Sequence, residues 1–234
     1  MPYRRPSSSI RVLHVDDDNE QLEMVKQFLG QFDPGIEIDS LLNPREVSEK
    51  IRSNYYECLI TDFKMPELTG IELARQIRQN HTIPIILYTG QGSEEVAAEA
   101  YVVGINDYIR KELTPSHYQI LAKRVRDIVE KRRIEHLYSN VVKDAKDAIA
   151  IVAKDKLIFA NEAFLTLLGA SEHELYKSDN SRLIKEIEKN ILEEDLQRLL
   201  SGEKSVYVTE LELKRRDRRK TPIDIKISVI EYLG

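Results

Sequence analysis

Between residues 10 and 115 the chain repeats one pattern, a short apolar run followed by apolar residues at the spacing of a helix. The runs are rich in Ile, Val and Leu, which favour buried strands. Strands that alternate with helices in this way predict a parallel sheet covered on both faces, that is, a doubly wound α/β fold. The first helix is predicted to end at Gly30. The predicted strands of this five-stranded sheet are residues 10–15, 36–41, 59–62, 83–89 and 107–111.

Polar residues stand where four of these runs end. Asp16 and Asp17 follow the first run, and Asp62 ends the third. Thr89 ends the fourth run, and Lys111 ends the fifth. Because parallel strands bring their carboxyl ends to one edge of a sheet, these side chains are expected to meet in one crevice. Three carboxylates in one crevice repel each other unless a hard cation lies among them, and such oxygen ligands suit Mg²⁺.

This group of side chains is suited to phosphoryl transfer. A carboxylate can attack phosphorus and form an aspartyl phosphate. Mg²⁺ and the ammonium group of Lys111 would place positive charge on the phosphoryl oxygens, and Thr89 can donate a hydrogen bond to them. Each residue alone has a simpler interpretation, with Asp62 as a loop cap and Lys111 as a surface lysine. The joint occurrence of all of them favours the transfer site.

Several motifs in this region resemble those of a response-regulator receiver domain. They are Val15-Asp16-Asp17-Asp18, Asp62-Phe63-Lys64-Met65-Pro66, Gly70, Tyr88-Thr89-Gly90 and Tyr108-Ile109-Arg110-Lys111. The domain that the resemblance implies covers residues 9–129. The resemblance implies a flavodoxin-like fold in which Asp62 is the phospho-acceptor. The residues that it assigns to Mg²⁺ binding are Asp16, Asp17, Asp62 and Lys64, the last through its backbone carbonyl.

The same resemblance assigns the remaining roles in the site. Thr89 and Lys111 would act with Asp62 in catalysis by holding the phosphoryl group, and Thr89 and Tyr108 would be the switch residues. The chain departs from the family at Glu112, where a proline usually follows the lysine. A trans peptide bond is therefore expected here, since a cis bond before a non-proline residue costs about 2.5–4 kcal/mol.

Helical spacing continues from Pro115 beyond the expected end of the receiver domain. Residues 130–142 are predicted to form a linker helix, which is either a short parallel coiled coil between two protomers or a rigid connector. The apolar residues expected to be buried before it are Tyr118, Leu121, Val125 and Ile128. The basic residues expected on the solvated face are Lys123, Arg124, Arg126, Lys131, Arg132 and Arg133.

Residues 143–234 predict a second domain of the α+β class with an antiparallel sheet. A hairpin over residues 148–160 precedes a helix that is capped by Asn161 and ends at Gly169. Ser171 opens a capping-box pattern, and alternating strands are predicted at 206–214 and 222–232. The motifs Phe159-Ala160-Asn161-Glu162-Ala163-Phe164 and Leu167-Leu168-Gly169 are similar to a PAS domain.

The PAS resemblance leaves the role of this domain open. Such domains bind flavin, haem or small metabolites, or act only in dimerisation and relay, so the ligand is unknown. The family usually has a fifth strand after the fourth. The expectation is therefore that the domain is truncated at its C-terminus or receives that strand from elsewhere.

Composition limits the other classes of function. The chain has no apolar run of about 18 residues, so no membrane span is expected, and its single cysteine, Cys58, suits a reducing cytoplasm. The first 115 residues hold 19 acidic and 12 basic residues, which disfavours nucleic acid there. The basic run at 214–220 is interpreted as a solvated hairpin, and residues 1–8 as a disordered tail.

The sequence thus predicts a cytoplasmic two-component response regulator. It would accept a phosphoryl group from a sensor histidine kinase on Asp62 and relay this state through the last receiver helix to the PAS domain. It is not expected to be an enzyme beyond its self-catalysed phosphotransfer and dephosphorylation, and a homodimer through the linker helix or the PAS domain is an open alternative. Two other functions remain: the N-terminal part of a longer receiver–PAS sensor histidine kinase, or a phosphate-independent PAS ligand sensor or scaffold.

Overall fold

The computed structural model of the protein describes residues 9–90, 93–112, 114–153, 156–173, 193–214 and 219–230. The chain forms two compact units, residues 1–135 and 136–234. The predicted tail at residues 1–8 lies outside the described residues. None of the helices in the described ranges combines the length and the apolar character needed to cross a bilayer.

The first unit contains the predicted five-stranded parallel sheet, with the strand order β2-β1-β3-β4-β5. Strand ends differ from the prediction by one or two residues, so Asp62 and Lys111 follow their strands instead of ending them. The strands are β1 (Ile10–Val15), β2 (Ile36–Leu41), β3 (Cys58–Thr61), β4 (Ile85–Thr89) and β5 (Asp107–Arg110). The helices are α1 (Asn19–Phe32), α2 (Val47–Ser53, after a 3₁₀ turn at Pro44–Glu46), α3 (Gly70–Arg78), α4 (Glu94–Val103) and α5 (Pro115–Lys143).

Helices cover both faces of this sheet, as the near-continuous apolar strands require. One core cluster joins the sheet to Val25 of α1 and to Leu121 of α5. The other joins the opposite face to Val47 of α2, Ile71 of α3 and Ala100 of α4. Cys58 is fully buried in the first cluster, and burial raises the pKa of its thiol to about 12. It therefore serves as a core residue.

Local sequence signals account for most of the helix ends. Thr69 and Glu72 form a capping box at the start of α3, and Ser93 caps α4, which ends at the left-handed Gly104. The predicted end of α1 at Gly30 is wrong. The helix continues to Phe32, and the amide of Asp33 donates to the carbonyl of Leu29 at 2.8 Å. A glycine costs a helix only about 1 kcal/mol, so it does not end one whose neighbouring residues are well packed.

Helix α5 buries Tyr118, Leu121 and Val125 as predicted, and Ile128 is partly buried. The expectation that all of its basic residues are solvated is wrong. Arg126 pairs with Asp33 at 2.5 and 2.6 Å, and Arg133 pairs with Glu57 at 2.7 Å through two nitrogens. The partner carboxylates precede strands β2 and β3, so the chain path brings them beside α5.

The second unit contains two antiparallel pairs, β6 (Ala150–Ala153) with β7 (Lys156–Ala160), and β8 (Tyr207–Lys214) with β9 (Lys220–Ile227). Helices α6 (Glu162–Leu168) and α7 (Glu193–Leu200) lie between the pairs in sequence. The predicted α+β class with antiparallel strands is confirmed. The strand predicted at 222–232 instead begins at Lys220 and ends at Ile227. The Ser171 capping box and most of the 214–220 run involve residues outside the described ranges.

Asn161 organises the start of α6 in this unit. Its side chain accepts hydrogen bonds from the amides of Phe164 at 3.0 Å and Ile149 at 2.9 Å. Its amide group donates to the carbonyls of Val142 at 3.1 Å and Asp147 at 2.8 Å. The helix then ends at Gly169 in the left-handed conformation. The predicted cap is therefore present, and it also holds the segment that follows α5.

Candidate functional site

A cavity of about 260 Å³ opens at the carboxyl edge of the parallel sheet. It brings together side chains from the ends of four strands, as the doubly wound topology predicts. Tyr108, the predicted switch residue, does not line it and is half-buried against the α3 and α4 side of the sheet. The lining residues are Asp16, Asp17, Asp18, Gln21, Asp62, Lys64, Thr89, Gly90 and Lys111.

The three consecutive aspartates after β1 occupy different environments. Asp16 is buried, and its carboxylate accepts a hydrogen bond from the amide of Asp18 at 3.0 Å. The side chain of Asp17 is exposed at the mouth of the cavity. Asp18 caps α1 by accepting from the amides of Glu20 at 2.8 Å and Gln21 at 3.4 Å. Sequence reasoning missed this cap, although an aspartate directly before helical spacing is its usual signal.

Lys111 connects the two buried carboxylates. Its Nζ lies 2.6 Å from Asp16 Oδ2 and 2.7 Å from Asp62 Oδ1. The second oxygen of Asp62 accepts a hydrogen bond from the amide of Lys64 at 2.6 Å. The arrangement is therefore a carboxylate–ammonium–carboxylate bridge at the base of the cavity, with Asp62 held through both oxygens.

Burial and the neighbouring charges have opposite effects on the pKa values of Asp16 and Lys111. Burial raises the pKa of Asp16, and this outweighs the hydrogen bond from Lys111. Burial lowers the pKa of Lys111, but its hydrogen bonds to Asp16 and Asp62 reverse this and the pKa is raised overall. The side chain of Lys111 is therefore protonated and positively charged at neutral pH. Two carboxylates share this one ammonium group, which leaves the base of the cavity favourable to further positive charge.

The donor atoms fit a hard divalent cation by their chemistry. The carboxylates of Asp16, Asp17 and Asp62 and the carbonyl of Lys64 are oxygen ligands of the kind that Mg²⁺ takes. Across the residues that the structure describes, no three acidic, His or Cys side chains are arranged as a ready metal cluster. Lys111 supplies the counter-charge between Asp16 and Asp62 instead.

The loop after Asp62 is held tightly against the start of α3. The amide of Gly70 donates to the carbonyl of Phe63 at 2.8 Å. A Cβ at Gly70 would lie 2.1 Å from the carbonyl oxygen of Asp62 and 2.9 Å from Leu87 Cδ1. Thr61 Oγ1 donates to the same Asp62 carbonyl at 3.0 Å. The loop after Asp62 therefore depends on a residue without a side chain at position 70.

Thr89 and His14 flank the site from within the sheet. Thr89 is buried at the end of β4, and its carbonyl accepts from the amide of Lys111 at 2.8 Å. His14 is fully buried, with Nε2 4.0 Å from Asp16 Oδ2. Burial, with the charge of Lys111, lowers the pKa of His14 to about 3, so its ring is neutral.

Comparison with known proteins agrees with this fold. Residues 12–126 match the response regulator receiver domain family, and residues 146–232 match a PAS domain family. The chain therefore contains a receiver domain followed by a PAS domain. The residues that match the receiver family begin in β1 and end within α5. The residues that match the PAS family lie within the second compact unit.

Individual proteins are also similar to this chain. The transcriptional regulatory protein SrrA of Staphylococcus aureus is 26% identical over 195 residues, which cover 76% of this chain and 77% of the relative. The receiver domain of a protein assigned as a Luxo repressor from Vibrio parahaemolyticus is 24% identical, covers 56% of this chain and 97% of that chain, and gives a TM-score of 0.51. This likeness shows the receiver fold. A CheY-like receiver domain from Methanospirillum hungatei JF-1 is 26% identical, with 54% and 98% coverage and a TM-score of 0.49.

Proposed function

We propose that this protein is a two-component response regulator that accepts a phosphoryl group on Asp62 from the phosphohistidine of a sensor histidine kinase. The bond from phosphorus to the histidine nitrogen breaks, and a bond from phosphorus to an Asp62 oxygen forms. The observation that supports the proposal is the Asp16–Lys111–Asp62 bridge in a cavity at the carboxyl edge of a receiver fold.

The residues of the cavity have different roles in the transfer. Asp62 supplies the attacking oxygen, and the amide of Lys64 keeps its carboxylate oriented through the 2.6 Å hydrogen bond. Lys111 is already 2.7 Å from Asp62 Oδ1, so a small movement places its ammonium group on the transferred phosphoryl oxygens. Thr89 donates its hydroxyl to the same group. Charge stabilisation of this kind is the main catalytic term in phosphoryl transfer.

Mg²⁺ is part of the proposal. The residues that would hold it are Asp16, Asp17, Asp62 and the carbonyl of Lys64. When bound, the ion neutralises charge on the phosphoryl oxygens. The two carboxylates that share one ammonium group support this role, because they leave the crevice negatively charged.

The output that we propose is a protein–protein signal in the cytoplasm, without kinase activity of the chain's own. Thr89 and Tyr108 rearrange on phosphorylation and alter the face formed by α4, β5 and α5. Helix α5 runs without interruption from Pro115 to Lys143, the segment that leads into the PAS domain. Residues 146–232 match a PAS domain family, and this supports an output through contacts of that domain with protein.

A homodimer belongs to this proposal. The second half of α5 presents three apolar side chains on one face, each at least half exposed: Leu137 (51%), Tyr138 (65%) and Val141 (60%). Their spacing of three and four residues is that of a helix–helix seam. A second copy of the same helix would cover them, and the PAS domain would contribute to the same association.

The test is intact-mass analysis after incubation with acetyl phosphate and Mg²⁺. Wild type should gain one phosphoryl group that hydroxylamine removes, and Asp62→Asn should gain none. Asp127→Asn is the matched control, because Asp127 is exposed on α5 and should leave labelling unchanged. If wild type is labelled neither by acetyl phosphate nor by a donor kinase, the receiver acts independently of phosphate and the proposal fails.

A further inference from the structure

Tyr88 lies in β4, directly before Thr89, and is fully buried. Its ring contacts two groups of different kinds. Lys111 Nζ lies 5.7 Å from the ring centroid, and the ring of His117 on α5 stacks against it at 5.5 Å with an interplanar angle of 17°. The ring is therefore the one aromatic surface that the described contacts place beside the Asp16–Lys111–Asp62 bridge.

The distance from Lys111 to the ring falls within the range of a cation–π contact. An ammonium group within about 6 Å of an aromatic centroid is attracted by the ring, and more strongly where water is excluded. The Lys111 side chain is only 16% exposed, and Tyr88 is inaccessible to solvent. Burial lowers the pKa of His117, so the stacked imidazole is neutral and does not repel the ammonium group through the ring.

The hydroxyl and the ring face of Tyr88 have different neighbours. Tyr88 Oη is buried, and the pKa of Tyr88 is raised by burial and by the hydroxyl of Tyr118 on α5. The hydroxyl of Tyr118 donates to Met24 Sδ at 3.9 Å. The hydroxyl of Tyr88 therefore has Tyr118 as its neighbour, whereas Lys111 lies over the ring itself.

The ring contact differs from the carboxylate contacts in how it responds to phosphorylation. Asp62 Oδ1 now accepts from Lys111 at 2.7 Å, and an incoming phosphoryl group takes over that contact. The ring carries no exchangeable charge, so the transfer does not replace it as a contact of Lys111. It would therefore offer Lys111 the same partner before and after the reaction.

We propose that Tyr88 is a positioning residue for Lys111, whose ring face keeps the ammonium group directed at Asp62 in both the free and the phosphorylated protein. The inference rests on the proposed function for the role of Lys111 in transfer. The position of the ammonium group is a property of the unmodified protein and can be measured separately.

The experiment compares Tyr88→Phe, which keeps the ring, with Tyr88→Leu, which removes it. The rate of labelling by acetyl phosphate should stay within about twofold of wild type in Tyr88→Phe and fall about 3- to 30-fold in Tyr88→Leu. Ile86→Ala is the matched control, because Ile86 is fully buried in the same strand and packs in the same cluster. It should lower stability but leave the labelling rate of the folded protein unchanged.

Two further readouts separate an electrostatic role from simple packing. Adding one, two or three fluorine atoms to the ring of the Tyr88→Phe protein withdraws charge from the ring face with little change of shape, so the rate should fall in steps. The ¹⁵N NMR signal of the Lys111 ammonium group, assigned by its loss in Lys111→Met, should be protected from exchange in wild type and Tyr88→Phe. It should broaden or disappear in Tyr88→Leu.

The outcomes distinguish this inference from the proposed function. If wild type is never labelled but the ammonium signal is lost in Tyr88→Leu, the proposed function fails and the positioning role stands. Wild-type behaviour of Tyr88→Leu in both labelling and NMR overturns the positioning role. A flat fluorine series also overturns it, even if Tyr88→Leu is slow, because packing alone would then explain the slower rate.

Discussion

Gly70 shows how a single residue sets the geometry of the loop that follows Asp62. The nearest atom to a Cβ at this position is a backbone oxygen, that of Asp62, at 2.1 Å. A side-chain neighbour could rotate away, but a carbonyl between a strand and a loop cannot move without moving Asp62 itself. Gly30 offers a natural comparison, since it also lies within a helix and a Cβ there would meet nothing within 4 Å.

Gly70→Ala should therefore destabilise the protein, by about 1–3 kcal/mol or more, as expected for overpacking of a tight site. Gly30→Ala should have the opposite sign and stabilise it by about 0.5–1 kcal/mol, because alanine is the better helix former. Urea denaturation of both variants measures the two effects. Equal stability of the two variants would show that the loop after Asp62 can relax.

Helix α5 is held to the first unit by ion pairs as well as by its apolar face. Arg126 binds Asp33 through two nitrogens, and Arg133 binds Glu57 in the same way. Hydrogen bonds from Arg126 lower the pKa of Asp33. A carboxylate whose pKa is lowered by folding stabilises the folded state above its ordinary pKa, and this contribution is lost as the pH falls through the folded value.

Asp33→Asn should accordingly lower the free energy of unfolding at pH 7 by about 1 kcal/mol. The difference from wild type should shrink as the pH falls below about 4, where Asp33 becomes protonated first in the unfolded state and then, at a lower pH, in the folded state. Thermal unfolding between pH 3 and pH 7 checks this. In the control Asp107→Asn, the loss should stay below about 0.5 kcal/mol, since Arg124 is 58% exposed and lies 3.6 Å away. A pH-independent loss in Asp33→Asn would exclude the ion pair as its cause.

Asn161 plays the corresponding part in the second unit. Its side chain is buried, caps α6 and holds the carbonyls of Val142 and Asp147. Removing it leaves buried backbone groups without partners, so Asn161→Ala should destabilise this unit by about 2–3 kcal/mol.

Amide hydrogen exchange should accelerate at Ile149 and Phe164, the two donors to Asn161. Asn140→Ala, at an exposed position of α5, should change neither quantity. Unchanged exchange in Asn161→Ala would mean that water replaces the side chain.

At the scale of the whole molecule, α5 belongs to both compact units, since the boundary after Glu135 falls within it. Its first half is packed against the sheet, whereas Leu137, Tyr138 and Val141 in its second half are exposed. If a second copy covers this face, Leu137→Glu should weaken self-association at least about tenfold, because each chain loses a buried leucine.

Sedimentation velocity over a concentration series measures this association, with and without acetyl phosphate. Ser139→Glu adds the same charge at an exposed position two residues further along α5, which lies on the other side of the helix from Leu137. This variant should leave association unchanged. A monomeric wild type in both states would remove the homodimer from the proposed output. Equal weakening in the two variants would point to net charge rather than to the apolar face.

Much of the fold of both units was predictable because its signals are local. Apolar runs of strand length, caps such as Ser93 and Asn161, and the glycines at 104 and 169 each act within one or two turns of chain. The same locality explains the error at Gly30, where packing of the neighbouring residues outweighed a weak intrinsic preference. The meeting of Asp16, Asp62, Thr89 and Lys111 in one cavity also follows from the sequence, since parallel strands share a carboxyl edge.

By itself, then, the sequence determined the order of the elements, the parallel sheet and the residues that gather at its edge. Only the tertiary structure decided which of these side chains touch. The Lys111–Asp16 and Arg126–Asp33 contacts join residues 95 and 93 positions apart, and the stack of Tyr88 on His117 depends on how α5 lies on the sheet. Periodicity and caps act over a few residues, whereas the partner of a charge or a ring is set by the path of the whole folded chain.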